Sequence, residues 1–248
     1  MRSLAPLYPL GKPWRNAMPR NPYVADGLVA WWDGLWNAGL GVHDAAATVW
    51  RDLVGTRDLT LNASGVSWAD NALVSAISTR NAAEYTGGVP TTDFYTVEMV
   101  KGAASTGRSV LVLGGAAART DTGFVLGSGD TTFRVATGAN NAARRELATG
   151  ANIGTVQHLS VRYSAPGSTA ASVLADGVAL ALSHDGAWGG SNNLRGICVF
   201  GRSANDAYGS NGYPVRGACH CLRLYNRQLT DAEVAANYAV DKARFNLP

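Results

Sequence analysis

Short segments with alternating apolar residues constrain the fold of this 248-residue chain more than any other feature. From Asp26 onward they recur between clusters of Gly, Asn, Asp and Ser, and several alternate with period two, as half-buried antiparallel strands do. In VQHLSVRYS (156–164) we expect Leu159, Val161 and Tyr163 to form the core face. The candidate strands are 27–34, 57–62, 94–101, 108–115, 123–128, 132–137, 156–164, 170–177, 178–183, 196–203 and 217–226.

The number and spacing of these segments indicate an all-β protein. Asp176-Gly177 accepts the positive φ of a type I′ turn, so SVLADGVALAL predicts a hairpin. No internal repeat is visible, which disfavours propellers and solenoids. We therefore expect one domain, a two-sheet antiparallel jelly-roll sandwich, with a short helix after its last strand.

The helix signal lies at 230–244. Thr230 and Glu233 have the spacing of a capping box, in which Thr is the N-cap and Glu reaches back from position N3. Leu229 and Val234 stand at the two positions of a hydrophobic staple. A single helix in this place is expected to cover a sheet edge or end.

The closing sequence RLYNRQLTDAEVAANYAVDKARF (223–245) resembles the end of laminin-G-like domains of the concanavalin A-like lectin/glucanase superfamily. DGLVAWWDGLWNAG and WRDLVGTRDLTL resemble the first strands of that group, and HLSVRYS with VLADGVAL resembles its central hairpin region. The resemblance covers about 26–245 and implies a concanavalin A-like sandwich. Such domains are frequent in phage and bacterial surface proteins, where they serve as lectins, hydrolases or structural modules.

Residues 1–25 differ in character and predict an extended arm before a sandwich domain at 26–248. Five prolines among the first 22 residues block both a helix and a central strand. A terminus without a partner is the alternative to an arm that docks on another protein. The apolar residues expected to make the docking contacts are Leu4, Leu7, Tyr8, Leu10 and Trp14.

The carboxylates do not predict catalysis. Glycosidases of the resembled superfamily place paired carboxylates on one strand, whereas none of the four Glu residues here has that spacing. Glu98 is expected to be exposed or to line a groove, and one carboxylate cannot act as both acid and nucleophile. We therefore expect no catalytic residues. The alternative is a glycan-cleaving enzyme that pairs Glu98 with Asp93 or Asp121.

No metal or cofactor site is expected. The four histidines are far apart, and Cys219-His220-Cys221 should place its thiols on one strand face and its imidazole on the other. Calcium stays open as an alternative, because loop carboxylates are suitable ligands although their spacing selects none. The loop candidates are Asp121, Asp130, Asp185 and Asp206.

Two loops combine aromatic and amide or carboxylate residues, a composition that suits the apolar face and the hydroxyl rim of a sugar. They span 183–195 and 202–214, at opposite ends of a strand near 196–201, which disfavours a joint site. Ordinary Gly/Asn-rich turns are the alternative. The candidate glycan-binding residues are Asp185, Trp188, Asn192 and Asn193 in the first loop, and Asn205, Asp206, Tyr208, Asn211 and Tyr213 in the second.

Charge and composition limit the partners. The net charge is +3 with dispersed basic residues, so nucleic-acid binding is not expected. No run approaches 18 apolar residues, and the N-terminus lacks the pattern of a signal peptide, so we expect neither a membrane span nor export by that route. Three cysteines without framework spacing indicate reduced thiols and synthesis in a cytoplasm.

Together these features predict a non-catalytic, lectin-like structural or adhesion protein of a phage virion, either a head decoration or tail-associated. It would dock on other virion proteins through the arm, form a homo-oligomer and display the sandwich to a host or environmental glycan. The alternatives are a bacterial cell-surface protein, the glycan-cleaving enzyme, and a structural cement protein without a ligand.

Overall fold

The computed structural model describes residues 21–61, 65–75, 83–85, 87, 95–103, 111–113, 127–129, 132–137, 144–149, 155–163, 172–185, 197–200 and 217–248. Every strand pairing within these ranges is antiparallel. One α-helix, α1 (Asp231–Phe245), follows the last strand. The prediction of an all-β fold with a short C-terminal helix is therefore confirmed. No helix in these ranges is long and apolar enough to cross a membrane.

The strands are mostly short, and a 3-10 turn at Gly34–Trp36 follows the first. In chain order they are β1 (Leu28–Asp33), β2 (Val49–Trp50), β3 (Leu59–Leu61), β4 (Val66–Ala69), β5 (Ala72–Ser75), β6 (Ala83–Tyr85), β7 (Tyr95–Lys101), β8 (Leu111–Leu113), β9 (Gly127–Gly129), β10 (Thr132–Thr137), β11 (Arg144–Thr149), β12 (Gln157–Tyr163), β13 (Ser172–Ala175), β14 (Val178–Ala179), β15 (Leu182–Asp185), β16 (Ile197–Val199) and β17 (Gly217–Tyr225).

These strands form three hydrogen-bonded sheets, where the sequence predicts two. The large sheet has eight strands in the order β14-β13-β12-β7-β17-β5-β4, with β1 also paired to β17. The five-stranded sheet has the order β2-β3-β6-β16-β8, and the four-stranded sheet has the order β15-β11-β10-β9. The long strand β17 pairs with three other strands and so holds the large sheet together.

The main core lies between the large sheet and the five-stranded sheet. Trp32, Val97 and Leu222 come from the large sheet and Leu59 and Val199 from the five-stranded one, and all five belong to one buried cluster. The two sheets therefore pack face to face, as in a β-sandwich. The expected core face of β12 is confirmed, since its three predicted residues belong to the same cluster.

The predicted strand 178–183 is divided between two sheets. Asp176 and Gly177 have positive φ angles of 50° and 79°, which confirms the predicted turn between β13 and β14. The chain then leaves the large sheet, and β15 pairs with β11 in the four-stranded sheet. An uninterrupted apolar alternation does not show where a strand changes partners, which is why the sequence indicates one strand here.

A β-bulge corrects the expected placement of the two thiols. Between Cys219 and Cys221 the register of β17 against β7 shifts by one residue. Cys219 therefore lies in the main core, whereas Cys221 lies on the opposite side of the sheet with the residues that pack under α1. Strand residues two positions apart normally lie on the same face of the sheet, but a bulge between them places them on opposite faces.

Helix α1 begins as the sequence predicts. The Glu233 backbone NH donates to the Thr230 hydroxyl at 3.3 Å, and the Thr230 backbone NH donates to the Glu233 carboxylate at 2.8 Å. Leu229 and Val234 are both buried in the cluster under the helix. Arg227 adds two hydrogen bonds to the same carboxylate, at 2.6 and 2.9 Å. The start of the helix is thus fixed by polar and apolar contacts together.

Acid should weaken the helix start. The Arg227 guanidinium and then the Thr230 backbone NH hold the pKa of Glu233 at about 2, below its ordinary 4.5. Because the folded pKa is lower than the unfolded one, the stabilisation is present above pH 4.5 and is lost as the pH falls toward 2. Glu233→Gln should therefore flatten the dependence of the unfolding free energy on pH in this window, measured by urea denaturation. Equal slopes in the two proteins would contradict this assignment.

Candidate functional site

A buried polar network lies between the large sheet and α1. The strands β7, β12 and β17 contribute Glu98, His158 and Arg223, and the helix contributes Asn237 and Asp241. All five residues are completely buried. Ionisable groups are rarely buried unless they are paired, and they cluster at functional sites, so this network is a candidate functional site.

Arg223 is the centre of the network. Its Nη1 and Nη2 donate to the two carboxylate oxygens of Asp241 at 2.9 and 2.6 Å, and its Nε donates to Glu98 Oε2 at 3.1 Å. The bidentate pairing with Asp241 joins the middle of the sheet to the helix. One guanidinium therefore bridges two carboxylates on different elements.

Glu98 has further partners on the helix side. Asn237 Nδ2 donates to Glu98 Oε2 at 2.7 Å and to the Tyr225 hydroxyl at 2.9 Å. His158 Nε2 lies 3.6 Å from Glu98 Oε1 and 3.7 Å from Asp241 Oδ2. The carboxylate is thus enclosed by an amide, an imidazole and a guanidinium.

The end of the predicted arm belongs to this network. The Tyr23 hydroxyl donates to Asp241 Oδ1 at 2.7 Å, and its ring centroid lies 3.8 Å from the guanidinium carbon of Arg223. The backbone NH of Val24 donates to Asn237 Oδ1 at 2.9 Å. Tyr23 and Val24 fall within the predicted arm (1–25), yet they pack into the domain. The predicted docking residues lie outside the described residues, namely Leu4, Leu7, Tyr8, Leu10 and Trp14.

The charges of the network are mutually stabilising. Burial alone lowers the pKa of Arg223, but Asp241, followed by Cys221, Tyr23 and Glu98, outweighs burial and raises it well above the ordinary value. The pKa of Tyr23 is also raised, by burial first and by Asp241 next, so its hydroxyl keeps the proton that it donates. The Arg223 guanidinium therefore keeps its charge although it is buried.

Glu98 is not an exposed or groove-lining residue, and this expectation was wrong. Tyr95, Val97 and Met99 on the other face of β7 lie in the main core, whereas α1 covers the face of Glu98. A catalytic acid or nucleophile must reach its substrate, whereas Glu98 is completely buried and bound to Arg223 and Asn237. Its role is to hold the helix on the sheet. Asp93 and Asp121, its proposed partners, lie outside the described residues.

The sequence patterns do not identify Arg223, Asn237 and Asp241 as a unit. A signal was present in the helix, where Val234, Asn237 and Asp241 have the spacing of one helical stripe. The stripe is apolar at its first position and polar at the other two, and all three residues are buried. Polar residues on a buried stripe require partners on the facing element, which here are Arg223 and Glu98.

Metal ligation has no support in the described part of the chain. No group of three or more His, Cys, Asp or Glu residues there could hold a metal ion. Cys219 and Cys221 are free and buried, and burial raises the pKa of Cys219 to about 12. The calcium candidates Asp121, Asp130 and Asp206 lie outside the described residues, and Asp185 is the last residue of β15.

Of the nine candidate glycan-binding residues, the structure places one. Asp185 ends β15 and is the register partner of Arg145 on β11. The other eight lie outside the described residues, namely Trp188, Asn192, Asn193, Asn205, Asp206, Tyr208, Asn211 and Tyr213.

The bases of the two predicted loops are nevertheless defined. Segment 186–196 runs from β15 in the four-stranded sheet to β16 in the five-stranded sheet, and 201–216 leads on toward β17 in the large sheet. The two loops leave opposite ends of β16, in keeping with the prediction. Since β16 has three residues, its ends are about 10 Å apart. The points where the two loops meet β16 are therefore closer together than they would be on the expected strand of six residues.

Comparison with solved structures identifies similar folds. A sialidase of Trypanosoma rangeli in complex with 2,3-difluorosialic acid has a TM-score of 0.61 and 19% identity, over 96% of this chain and 36% of that one. A mutant of this sialidase with trans-sialidase activity has a TM-score of 0.57 and 17% identity, over 88% and 33%. The binding domain of botulinum neurotoxin DC in complex with SialylT has a TM-score of 0.55 and 7% identity, over 86% and 51%.

These similarities concern the fold alone. The chain spans about one third of the length of the sialidases that it matches. No family model matches the sequence, and no curated protein matches it. The chain is therefore an all-β protein of sandwich type whose fold is shared with parts of glycan-processing and glycan-binding proteins.

Removing the helix partner of Arg223 should destabilise the protein strongly. Asp241→Ala leaves a buried guanidinium without its bidentate partner, and we expect a loss of about 3–5 kcal/mol in the free energy of unfolding. The matched control is Asp231→Ala on the same helix, where a carboxylate that is 83% exposed pairs with Arg162 at 2.6 Å. That change should cost less than about 1 kcal/mol. Guanidinium denaturation measures both, and similar losses would contradict the assigned role of the network.

Proposed function

We propose that this protein is a non-catalytic, lectin-like structural or adhesion protein of a phage virion, carried on the particle as a head decoration or near the tail. Its sandwich is displayed outward and binds a host or environmental glycan. Residues 1–20 dock on other virion proteins, and several copies assemble as a homo-oligomer. The same architecture would serve on a bacterial cell surface, which is the alternative location.

The burial of Glu98 supports a function without catalysis. The only Glu residue on the central strand β7 is bound to Arg223 and Asn237 beneath α1, where no substrate reaches it. Glu98 is therefore not available to line a substrate groove of the kind that a glycosidase of the resembled superfamily uses. The proposed sugar would be bound elsewhere on the molecule.

The ligands of the structural neighbours support the proposed glycan binding. Two of them are named in complex with a sialic acid derivative and with SialylT, and both share the fold of this chain. The finer architecture that we propose, a concanavalin A-like jelly roll, agrees with the face-to-face packing of the large and five-stranded sheets. In this proposal the predicted loops 183–195 and 202–214 contact the sugar.

The anchoring of Tyr23 supports a docking role for the preceding residues. Tyr23 is held between Arg223 and Asp241, so the chain enters the domain at a fixed position beside α1. An arm that starts from a fixed position can bind a scaffold and set the orientation of the domain. The five prolines and the large apolar residues before Tyr23 are the groups available for that contact.

The glycan-cleaving enzyme is the second candidate, because two of the structural neighbours are sialidases. It would require catalytic carboxylates other than Glu98, which the network occupies.

Binding and cleavage can be separated in one experiment. The purified protein is applied to a glycan array, and the bound glycans are then incubated with it and assayed for release of reducing ends. We expect binding without release, and Glu98→Gln should lose thermal stability without changing which glycans are bound. Release of reducing ends would establish the enzyme instead, and the absence of any bound glycan would overturn the lectin-like function.

The docking role is tested by truncation before Asn21, because a deletion up to residue 25 would also remove Tyr23 from the network. Deletion of residues 1–20 should leave the domain folded, as judged by its melting temperature, and should abolish incorporation into particles. A second variant keeps the full-length chain and should have the same effect. It carries Ser in place of Leu4, Leu7, Tyr8, Leu10 and Trp14. Normal incorporation of either variant would overturn the docking role.

A further inference from the structure

The end of helix α1 is tied to strand β1 by a buried ion pair. Arg244 lies in the last turn of the helix, and its Nη2 donates to Asp33 Oδ2 at 2.7 Å. The other carboxylate oxygen, Oδ1, accepts the backbone NH of Leu35 at 2.9 Å and so caps the 3-10 turn after β1. Asp33 is completely buried, whereas the Arg244 side chain is 12% exposed. The first strand and the last helix therefore meet at one buried carboxylate.

Aromatic rings surround the guanidinium of Arg244. Its central carbon lies 4.4 Å from the ring centroid of Trp36 in the 3-10 turn and 5.6 Å from that of Phe245. It also lies 5.6 Å from the ring of Tyr23, where the N-terminal segment enters the domain, and 5.8 Å from that of Trp31. Aromatic faces at these distances attract a cation. The guanidinium therefore holds the helix end and the entry of the N-terminal segment together.

This contact is weaker than the ionic link between Arg223 and Asp241. Those two residues are completely buried and share two hydrogen bonds. Asp33 receives one hydrogen bond from Arg244, whose side chain still reaches solvent. Solvent weakens the attraction of a partly exposed cation, whereas the carboxylate bears the full cost of its own burial. Asp33 therefore combines complete burial with incomplete compensation of its charge.

Other ionisable groups around Asp33 and Arg244 come from β17, α1, the N-terminal segment and the loop after the 3-10 turn. They are Arg223, Cys219, Cys221, Asp241, Tyr23 and His43. Burial raises the pKa values of both thiols and of the Tyr23 hydroxyl, so these groups stay protonated. Burial also raises the pKa of Asp33, from 3.8 to about 6, and Arg244 opposes that rise more than any other group. The smaller effects of Asp241 and Arg223 act in opposite directions.

We propose that the contact between Asp33 and Arg244 is a pH-sensitive latch, which holds the end of α1 against β1 at neutral pH and loosens when Asp33 takes up a proton. The proton comes from solvent and binds a carboxylate oxygen, whereas Arg244 keeps its charge. The attraction between two charges is then reduced to a hydrogen bond between an ion and a neutral group. Because Arg244 also contacts Tyr23, the loosening extends to the entry of the N-terminal segment. This inference does not depend on whether the protein binds a glycan or docks on a particle.

Protonation of Asp33 changes local and global stability in opposite directions. The pKa of Asp33 is higher in the folded protein than in the unfolded chain. Its contribution to stability is therefore complete below pH 3.8 and is lost as the pH rises through about 6. On acidification from neutral pH, the part of the unfolding free energy that is due to Asp33 should rise although the latch loosens. Simple acid unfolding would weaken both.

Nuclear magnetic resonance can follow the latch in the unmodified protein. The carboxyl carbon of Asp33 and the indole NH of Trp36, whose ring lies 4.4 Å from the guanidinium, should titrate with one shared midpoint at about pH 6. After correction for intrinsic rates, hydrogen exchange of the Phe245 amide should be about fivefold faster in mild acid than at neutral pH. Exchange of the Val234 amide, at the helix start, should not become faster. A Trp36 resonance that does not follow Asp33, or equal acceleration at both ends of the helix, would overturn the inference.

Variants separate Asp33 from the other titratable groups. Asp33→Asn keeps the size of the side chain without its charge, so its Trp36 resonance at neutral pH should match that of the unmodified protein in acid and should not titrate. The matched control is Asp231→Asn, which changes an exposed carboxylate paired with Arg162 at 2.6 Å and should leave the titration unchanged. His43→Gln should also leave it unchanged. Loss of the titration in His43→Gln, or its persistence in Asp33→Asn, would overturn the inference.

Urea denaturation tests the sign of the global effect. From neutral pH to about pH 5, the urea midpoint of the unmodified protein should rise relative to that of Asp33→Asn, which lacks the titrating group. A relative fall would contradict the inference. If Asp33→Asn does not fold, Arg244→Gln serves instead, and the titration midpoint of Asp33 should then rise above its value in the unmodified protein, because the main group that opposes the effect of burial is gone. An unchanged midpoint in that variant would overturn the latch.

Discussion

The ion pair between Arg223 and Asp241 fixes the position of helix α1 on the large sheet. For two buried opposite charges, the attraction offsets the cost of desolvation only when their geometry is nearly ideal. Here the pairing is bidentate, and Glu98 and Asn237 complete the hydrogen bonds. Apolar packing alone would allow α1 to shift along the sheet. Directional partners at fixed positions allow one placement, so the central strand β17 and the helix are held in a single register.

The local features of the fold were predictable because they depend on neighbouring residues. The capping box at Thr230 and the turn at Asp176 each depend on residues a few positions apart in the sequence, and the structure has both. The bulge at Cys219 and the enclosure of Glu98 depend on strands and a helix that are far away in the chain. A period-two pattern shows which residues share a face, but it does not show what covers that face or where the pattern is interrupted.

The same distinction applies to the candidate binding surface. Sequence composition pointed to loops, and of their candidate residues the structure places Asp185, at the end of an edge strand. Composition shows which loops could bind a sugar. It does not show where those loops begin on the strands, which depends on pairings such as that of β15 with β11.

The position of Tyr23 has a mechanical consequence. Its hydroxyl is bonded to Asp241 and its ring lies against Arg223, whose strand is hydrogen-bonded on both sides within the largest sheet. A pull on the residues before it must therefore break the contacts of Tyr23 with Asp241 and Arg223 before the load reaches β1, the next strand along the chain. These buried contacts would shield the strand pairing of a tethered domain from a weak pull.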